Sequence, residues 1–139
     1  MGELRTMPSR KPRVLIVDDE ASVLVTYRMI LEQQGYEPTA VLSSAEALSA
    51  VEKTDFDLLM CDLSLEESHT GFEIFEVARS RTPDVPCVLL TGYASHEAVQ
   101  QAEASGIAVL FKPIDIEEFL STIETLVRSG HGKQKASGE

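Results

Sequence analysis

The chain has 139 residues, 43% of them hydrophobic and 25% charged, the size and composition of one globular domain with a sizeable core. Its formal net charge of −11 at pH 7 argues against general nucleic-acid binding and docking on an acidic membrane, and any anionic ligand must find a locally positive site. No apolar run approaches the ~20 residues of a membrane span, Met1 to Arg13 lacks a secretory apolar stretch, and Cys61 and Cys87 sit inside apolar runs as reduced core thiols without metal-like spacing, so the expected location is the cytoplasm.

The polar ends, 1–11 and 129–139, read as flexible tails around a single domain at 12–128. Within it, Arg13 to Asp18 is a short Val- and Ile-rich run, expected as a buried strand. A helix is expected over about Ala21 to Gln34, with Val23, Tyr27, Ile30 and Leu31 at helical spacing and Gly35 as its stop. Glu37 to Val41 is a second strand. Ser43, with Glu46 three residues on, forms a capping box that opens a helix to about Lys53. Asp57 to Asp62 is the third strand. A polar loop, Ser64 to Thr70, leads to a helix whose apolar face is Phe72, Phe75, Val77 and Ala78. Val85 to Leu90 is the fourth strand, and Ser95 caps a weakly apolar fourth helix. Ile107 to Phe111 is the fifth strand. Asp115 and Glu118 open a strongly amphipathic last helix that carries Ile116, Phe119, Leu120, Ile123, Leu126 and Val127.

Alternating strands and helices imply an α/β fold, a doubly wound five-stranded parallel sheet with helices on both faces. Strands one, three, four and five end in polar residues: Asp18-Asp19, Asp62, Thr91-Gly92 and Lys112-Pro113. Strand two ends in Val41-Leu42, which makes it an edge outside the site and gives the order 2-1-3-4-5. Ligands of such sheets bind at the carboxyl ends of the strands. Three carboxylates, a hydroxyl and an ammonium would therefore share one pocket. Like charges that close repel unless a cation is added. The economical reading is a divalent metal held by carboxylates, with one carboxylate left as a nucleophile.

In this order and spacing, these motifs resemble the receiver domain of two-component response regulators, over about Pro12 to Arg128. The resemblance implies that Asp62 accepts a phosphoryl group from the phosphohistidine of a sensor histidine kinase or phosphotransfer protein. It implies Mg2+ held by Asp19 directly, by Asp18 mainly through water, by Asp62 and by the backbone carbonyl of Ser64. Lys112, aimed inward by a cis bond to Pro113, would bridge the acids and the phosphoryl oxygens. Thr91 would hydrogen-bond the phosphoryl group, and the backbone N–H groups of Leu63 and Gly92 would complete its cradle. The response would run to a face built from the fourth helix, fifth strand and fifth helix, which would meet an unidentified downstream protein or a second copy in a homodimer. The first helix, near Ser22 to Thr26, would dock the sensor's helical bundle. The chain would not itself bind nucleic acid or membrane, and would act as a signalling phosphoacceptor, not an enzyme on other substrates, either as a stand-alone regulator or as a piece of a larger protein.

Three positions depart from the family pattern. Glu66 stands where the family places a proline after Asp62, in a loop that carries His69 and is about one residue longer than the family pattern. Val109, three residues before Lys112, replaces a switch aromatic, so the response would run through Thr91 and the loop to Ser95. Tyr93 stands where it could shield an aspartyl phosphate from water. Three other readings compete. A haloacid dehalogenase-type phosphatase would want an acid where Ser64 stands. A pseudo-receiver kept only for protein contacts would not need the intact acidic and basic set. A flavodoxin-like cofactor binder would want a phosphate loop where the chain has Asp18-Asp19-Glu20.

Overall fold

The computed structural model describes residues 10–62, 71–92 and 96–137, with side chains through 129. Five strands, β1 (Arg13–Val17), β2 (Glu37–Val41), β3 (Leu58–Asp62), β4 (Cys87–Thr91) and β5 (Ala108–Phe111), alternate with five helices. The helices are α1 (Ala21–Gln33), α2 (Ser44–Lys53), α3 (Gly71–Arg81), α4 (His96–Ala104) and α5 (Ile116–Ser137). All neighbouring strands pair in parallel, in the order β2-β1-β3-β4-β5. This is the arrangement expected from the polarity of the strand ends.

The central strands are apolar throughout because both faces of the sheet are covered. On one face Leu15, Val17, Leu59, Cys61, Cys87 and Leu89 meet α2, α3 and α4 through Val51, Phe75 and Ala102. On the other, Val14, Ile16, Leu58, Met60, Val88, Leu90 and Leu110 meet α1 and α5 through Leu24, Tyr27, Leu31, Phe119 and Ile123. The period-two alternation of strand side chains sorts one continuous apolar run into two cores. Phe75 and Phe119 are among the largest fully buried side chains, and truncating either to Ala would cost about 3–5 kcal/mol. Both cysteines are buried free thiols.

Local chemistry fixes where helices begin and end. Gly35 follows α1 at φ +91°. Its N–H reaches Glu32 O, and the Tyr36 N–H reaches Leu31 O, a paired closure that needs a left-handed residue. Gly106 repeats the device after α4, at φ +69°, with Gly106 N–H on Glu103 O and Ile107 N–H on Ala102 O. The Ser43 side chain accepts from the Glu46 N–H, while the Glu46 carboxylate accepts from the Leu42 N–H, so the capping box closes one residue earlier than its usual form. Asp115 likewise accepts from the Glu117 N–H at the start of α5.

Several boundaries differ from expectation. β4 runs to Thr91, which places the hydroxyl residue inside the sheet. It begins at Cys87 because Pro86 has no N–H to give, although its carbonyl accepts from Leu59 N–H. α1 buries Leu24, Tyr27 and Leu31, with Val23 and Ile30 half-buried, so its stripe is centred about one residue from the one expected. In α3, Ile74 joins Phe75 and Ala78 in the core, while Phe72 and Val77 are half-buried. The tail expected from Ser129 is instead helical to Ser137, because Lys133, Gln134, Lys135 and Ala136 favour helix and no proline intervenes. The expected N-terminal tail lies mostly outside the described residues, and Arg10 is held by the Asp57 carboxylate at 2.9 Å. Among the described residues, no helix is long and apolar enough to cross a membrane.

Candidate functional site

The sheet delivers four site residues to one edge. Asp18 follows β1, its N–H extending the ladder to Val41 O at 3.2 Å. Asp62 and Thr91 are the last residues of β3 and β4. Lys112 follows β5, its N–H bonded to Thr91 O at 2.7 Å. Asp18, Asp62 and Thr91 are all buried, which is unusual for acids unless they are paired or ligate a cation.

Lys112 supplies one pairing. Its Nζ donates to Asp62 Oδ2 at 3.1 Å and to Asp18 Oδ2 at 3.3 Å. The other oxygen of Asp18 accepts from the Glu20 N–H at 3.0 Å. Asp19 is exposed at the mouth, and one carboxylate oxygen from each of Asp18, Asp19 and Asp62 lies within 4.8 Å of the others. Two unit charges at that separation repel by roughly 3 kcal/mol at an effective dielectric of ~20. Three carboxylates therefore face a single ammonium.

The titration shifts follow. Burial pushes the Asp18 carboxyl above its ordinary value and the Asp62 charge adds to this, against the Glu20 N–H and Lys112, which favour the anion. Burial alone would lower the Lys112 pKa, but its hydrogen bonds to Asp62 and Asp18 and their charges outweigh that, and the ammonium titrates above its usual value. The cup thus keeps its cation and still holds excess negative charge. Its donors are all hard oxygens, the set that suits Mg2+, which takes few protein ligands and keeps its remaining waters.

The structure brings together Asp18, Asp19, Asp62 and Lys112, with Thr91 on the adjoining strand end. The Lys112–Pro113 bond is cis. Gly92 is exposed, and a Cβ there would meet no described atom within 4 Å. Leu63, Ser64, Glu66, His69, Tyr93 and Ser95 lie outside the described residues. Gly71 starts α3 so close to the sheet that a Cβ there would stand 3.2 Å from the Cys61 Cβ and from a Leu89 methyl.

Sequence reasoning missed two participants. The Glu20 N–H is a backbone group, invisible to any reading of side chains. Tyr27 is seen from its spacing as a core residue, but its nearness to the charges is not. Burial raises the pKa of its hydroxyl, and the charges of Lys112, Asp18 and Asp62 all act on it.

A parallel five-stranded sheet of order 2-1-3-4-5, with an acidic cup and a lysine at its carboxyl edge, defines the receiver class of signalling domain. Residues 14–124 match the family model described as the response regulator receiver domain, and the chain belongs to that family. It is 29% identical, over 85% of its length, to the transcriptional regulatory protein ZraR of Escherichia coli K12, and covers 27% of that protein. It is 31% identical, over 79% of its length, to the alginate biosynthesis transcriptional regulatory protein AlgB of Pseudomonas aeruginosa, and covers 24% of it. The chain thus spans about a quarter of the length of these curated relatives. Among solved structures, the CheY-like receiver domain protein of Methanospirillum hungatei superposes with a TM-score of 0.82 at 30% identity, over 88% of this chain and 98% of that one.

Proposed function

We propose that this chain takes a phosphoryl group on Asp62 from a histidine kinase or phosphotransfer protein. The observation that carries the proposal is the bridging of two buried carboxylates by Lys112 Nζ, with Asp19 within 4.8 Å. A carboxylate oxygen of Asp62 forms the new O–P bond while the N–P bond of the phosphohistidine breaks, and the pair of electrons leaves with the imidazole nitrogen. Lys112 stands where it can hold the incoming phosphoryl oxygens. Thr91, at the neighbouring strand end, is the hydroxyl that hydrogen-bonds the product, and the Gly92 N–H would complete the cradle. Asp18, Asp19 and Asp62 are the side chains that would hold Mg2+, with the Ser64 carbonyl as a further ligand, while the Leu63 N–H would belong to the phosphoryl cradle. When bound, Mg2+ neutralises the charge gathered between carboxylates and phosphoryl oxygens.

Two exposed apolar faces support the partner assignments. Val25 and Met29, one turn apart on α1, are 56% and 54% exposed, and fit the docking of a donor's helical bundle. Phe111 and Ile116 are 54% and 41% exposed, on the side of β5 and α5 where a downstream protein or a second copy would sit. The net charge of −11 disfavours direct contact with nucleic acid. The chain acts on itself and not as an enzyme on other substrates, in the cytoplasm, within the domain 12–128, and Tyr93 lengthens the life of the aspartyl phosphate.

Incubation of the intact chain with Mg2+ and acetyl phosphate, followed by mass measurement, tests the reading. One phosphoryl adduct, absent in Asp62→Asn, is expected. No adduct would leave a pseudo-receiver, and continuous release of phosphate from many substrates would indicate a phosphatase.

A further inference from the structure

Lys112 has to sit within hydrogen-bond reach of Asp62, yet it lies between an edge strand and a loop. What fixes it is a packed cluster on the α1/α5 face. Leu110, two residues before Lys112, is buried in that cluster, and Ile114, two residues after, packs against it. The cluster holds one aromatic pair. Tyr27 of α1 and Phe119 of α5 stack with ring centroids 4.9 Å apart and planes 19° from parallel. Phe119 is fully buried and Tyr27 nearly so. Both helices start at the carboxyl edge of the sheet, and helical side chains lean toward the helix N-terminus, so both rings tilt toward the acidic cup. Among the charges that act on the Tyr27 hydroxyl, that of Lys112 is the strongest. On the opposite face the position three residues before Lys112 is Val109, half-buried in the other core, and offers no ring.

We propose that Tyr27, stacked on Phe119, is a positioning residue for phosphoryl transfer, its ring fixing the segment Leu110 to Ile114 so that Lys112 stays on Asp62. The inference rests on the phosphoacceptor reading of Asp62. The stack joins α1 to α5, while β1 and β3, which lead to Asp18 and Asp62, are held by their own pairing in the middle of the sheet. Its effect therefore falls on the ammonium more than on the cation ligands. The flat ring carries this role, and the hydroxyl is incidental to it.

The test compares wild type, Tyr27→Phe, Tyr27→Leu and Phe119→Leu as full chains. Each is measured for the rate of phosphorylation by acetyl phosphate, followed by mass, and for Mg2+ affinity by calorimetry. Tyr27→Leu and Phe119→Leu should lower the rate by about tenfold, the scale of a sub-ångström misplacement, with Mg2+ affinity within about twofold. Tyr27→Phe should keep both. A folded Tyr27→Leu or Phe119→Leu that is phosphorylated at the wild-type rate overturns the proposal. So does a parallel loss of Mg2+ affinity, which marks general loosening, or a slow Tyr27→Phe, which would assign the role to the hydroxyl. If Tyr27→Leu does not fold, Phe119→Leu and Tyr27→Phe still decide it. Wild-type chain that takes up no phosphoryl group would instead mark failure of the Asp62 reading.

Discussion

The two edges of the sheet use charge in opposite ways. At the amino edge, several charged side chains are matched locally. Asp57 Oδ2 accepts from the Arg13 N–H at 2.8 Å and from Arg10 at 2.9 Å. Arg79 donates to Ser105 O at 2.7 Å and to Val85 O, tying two loops together, and Arg81 reaches the Asp55 carboxylate and Glu52 O. At the carboxyl edge, three carboxylates gather, and one lysine pairs with the two of them that are buried. Paired charge on an exposed edge holds loops in place. Buried, unbalanced charge costs stability and persists where a cation and an anionic group must be bound.

Substitutions can break this contrast, and the largest effect is expected at Lys112. Lys112→Met leaves Asp18 and Asp62 buried without their cation. Phosphorylation by acetyl phosphate should slow by about 100-fold. The cation-free fold should lose about 3 kcal/mol in urea titrations, much of it restored by Mg2+.

Asp18 should respond with the opposite sign. Burial holds its carboxyl above the ordinary value, so the folded chain binds that proton more tightly than the unfolded chain. The stability it contributes is fully present below the unfolded pKa and is lost as pH rises through the folded value. Asp18→Asn removes that loss and one like charge from the cup. Without Mg2+ at pH 7 it should be more stable than wild type by up to about 1 kcal/mol. Its advantage should shrink as pH falls below the carboxylate range, measured by urea melts across pH.

Asp57→Ala tests the other edge. Losing the Arg13 N–H and Arg10 contacts should cost about 1–2 kcal/mol and leave the phosphorylation rate unchanged. Arg81→Ala should be smaller still, with a change in melting temperature near the limit of detection, because its partners are exposed and solvent-screened. A clear effect of either amino-edge substitution on phosphorylation would blur the distinction between the edges.

Much of this was legible in the sequence, for identifiable reasons. Polar residues at the ends of apolar runs mark the carboxyl edge, and the apolar end of strand two marks the outer strand, so the order 2-1-3-4-5 follows. Gly35 and the Ser43/Glu46 pair mark helix limits by chemistry that is local in sequence. Gly106 carries the same signal as Gly35, a glycine ahead of an apolar residue, but it follows a weakly apolar helix and so draws no attention. Central strands buried on both sides show no alternation, so the division of Leu15 from Ile16 between two cores emerges only in three dimensions. The Glu20 N–H on Asp18 and the Tyr27–Phe119 stack have the same origin, one a backbone group and the other a contact between residues far apart in the chain. Near the end, Gly130 and Gly132 suggested a tail, while the helix formers beyond them carry α5 to Ser137.

The central claim is that the acids at 18, 19 and 62 converge on one cation, and thermal unfolding with increasing Mg2+ measures it most directly. A ligand that binds only the folded state raises the melting temperature in proportion to the logarithm of its concentration once the site is filled. The account predicts such a rise for the wild-type chain and its loss in Asp19→Asn. A melting temperature that does not respond to Mg2+, or that rises equally in Asp19→Asn, would contradict it.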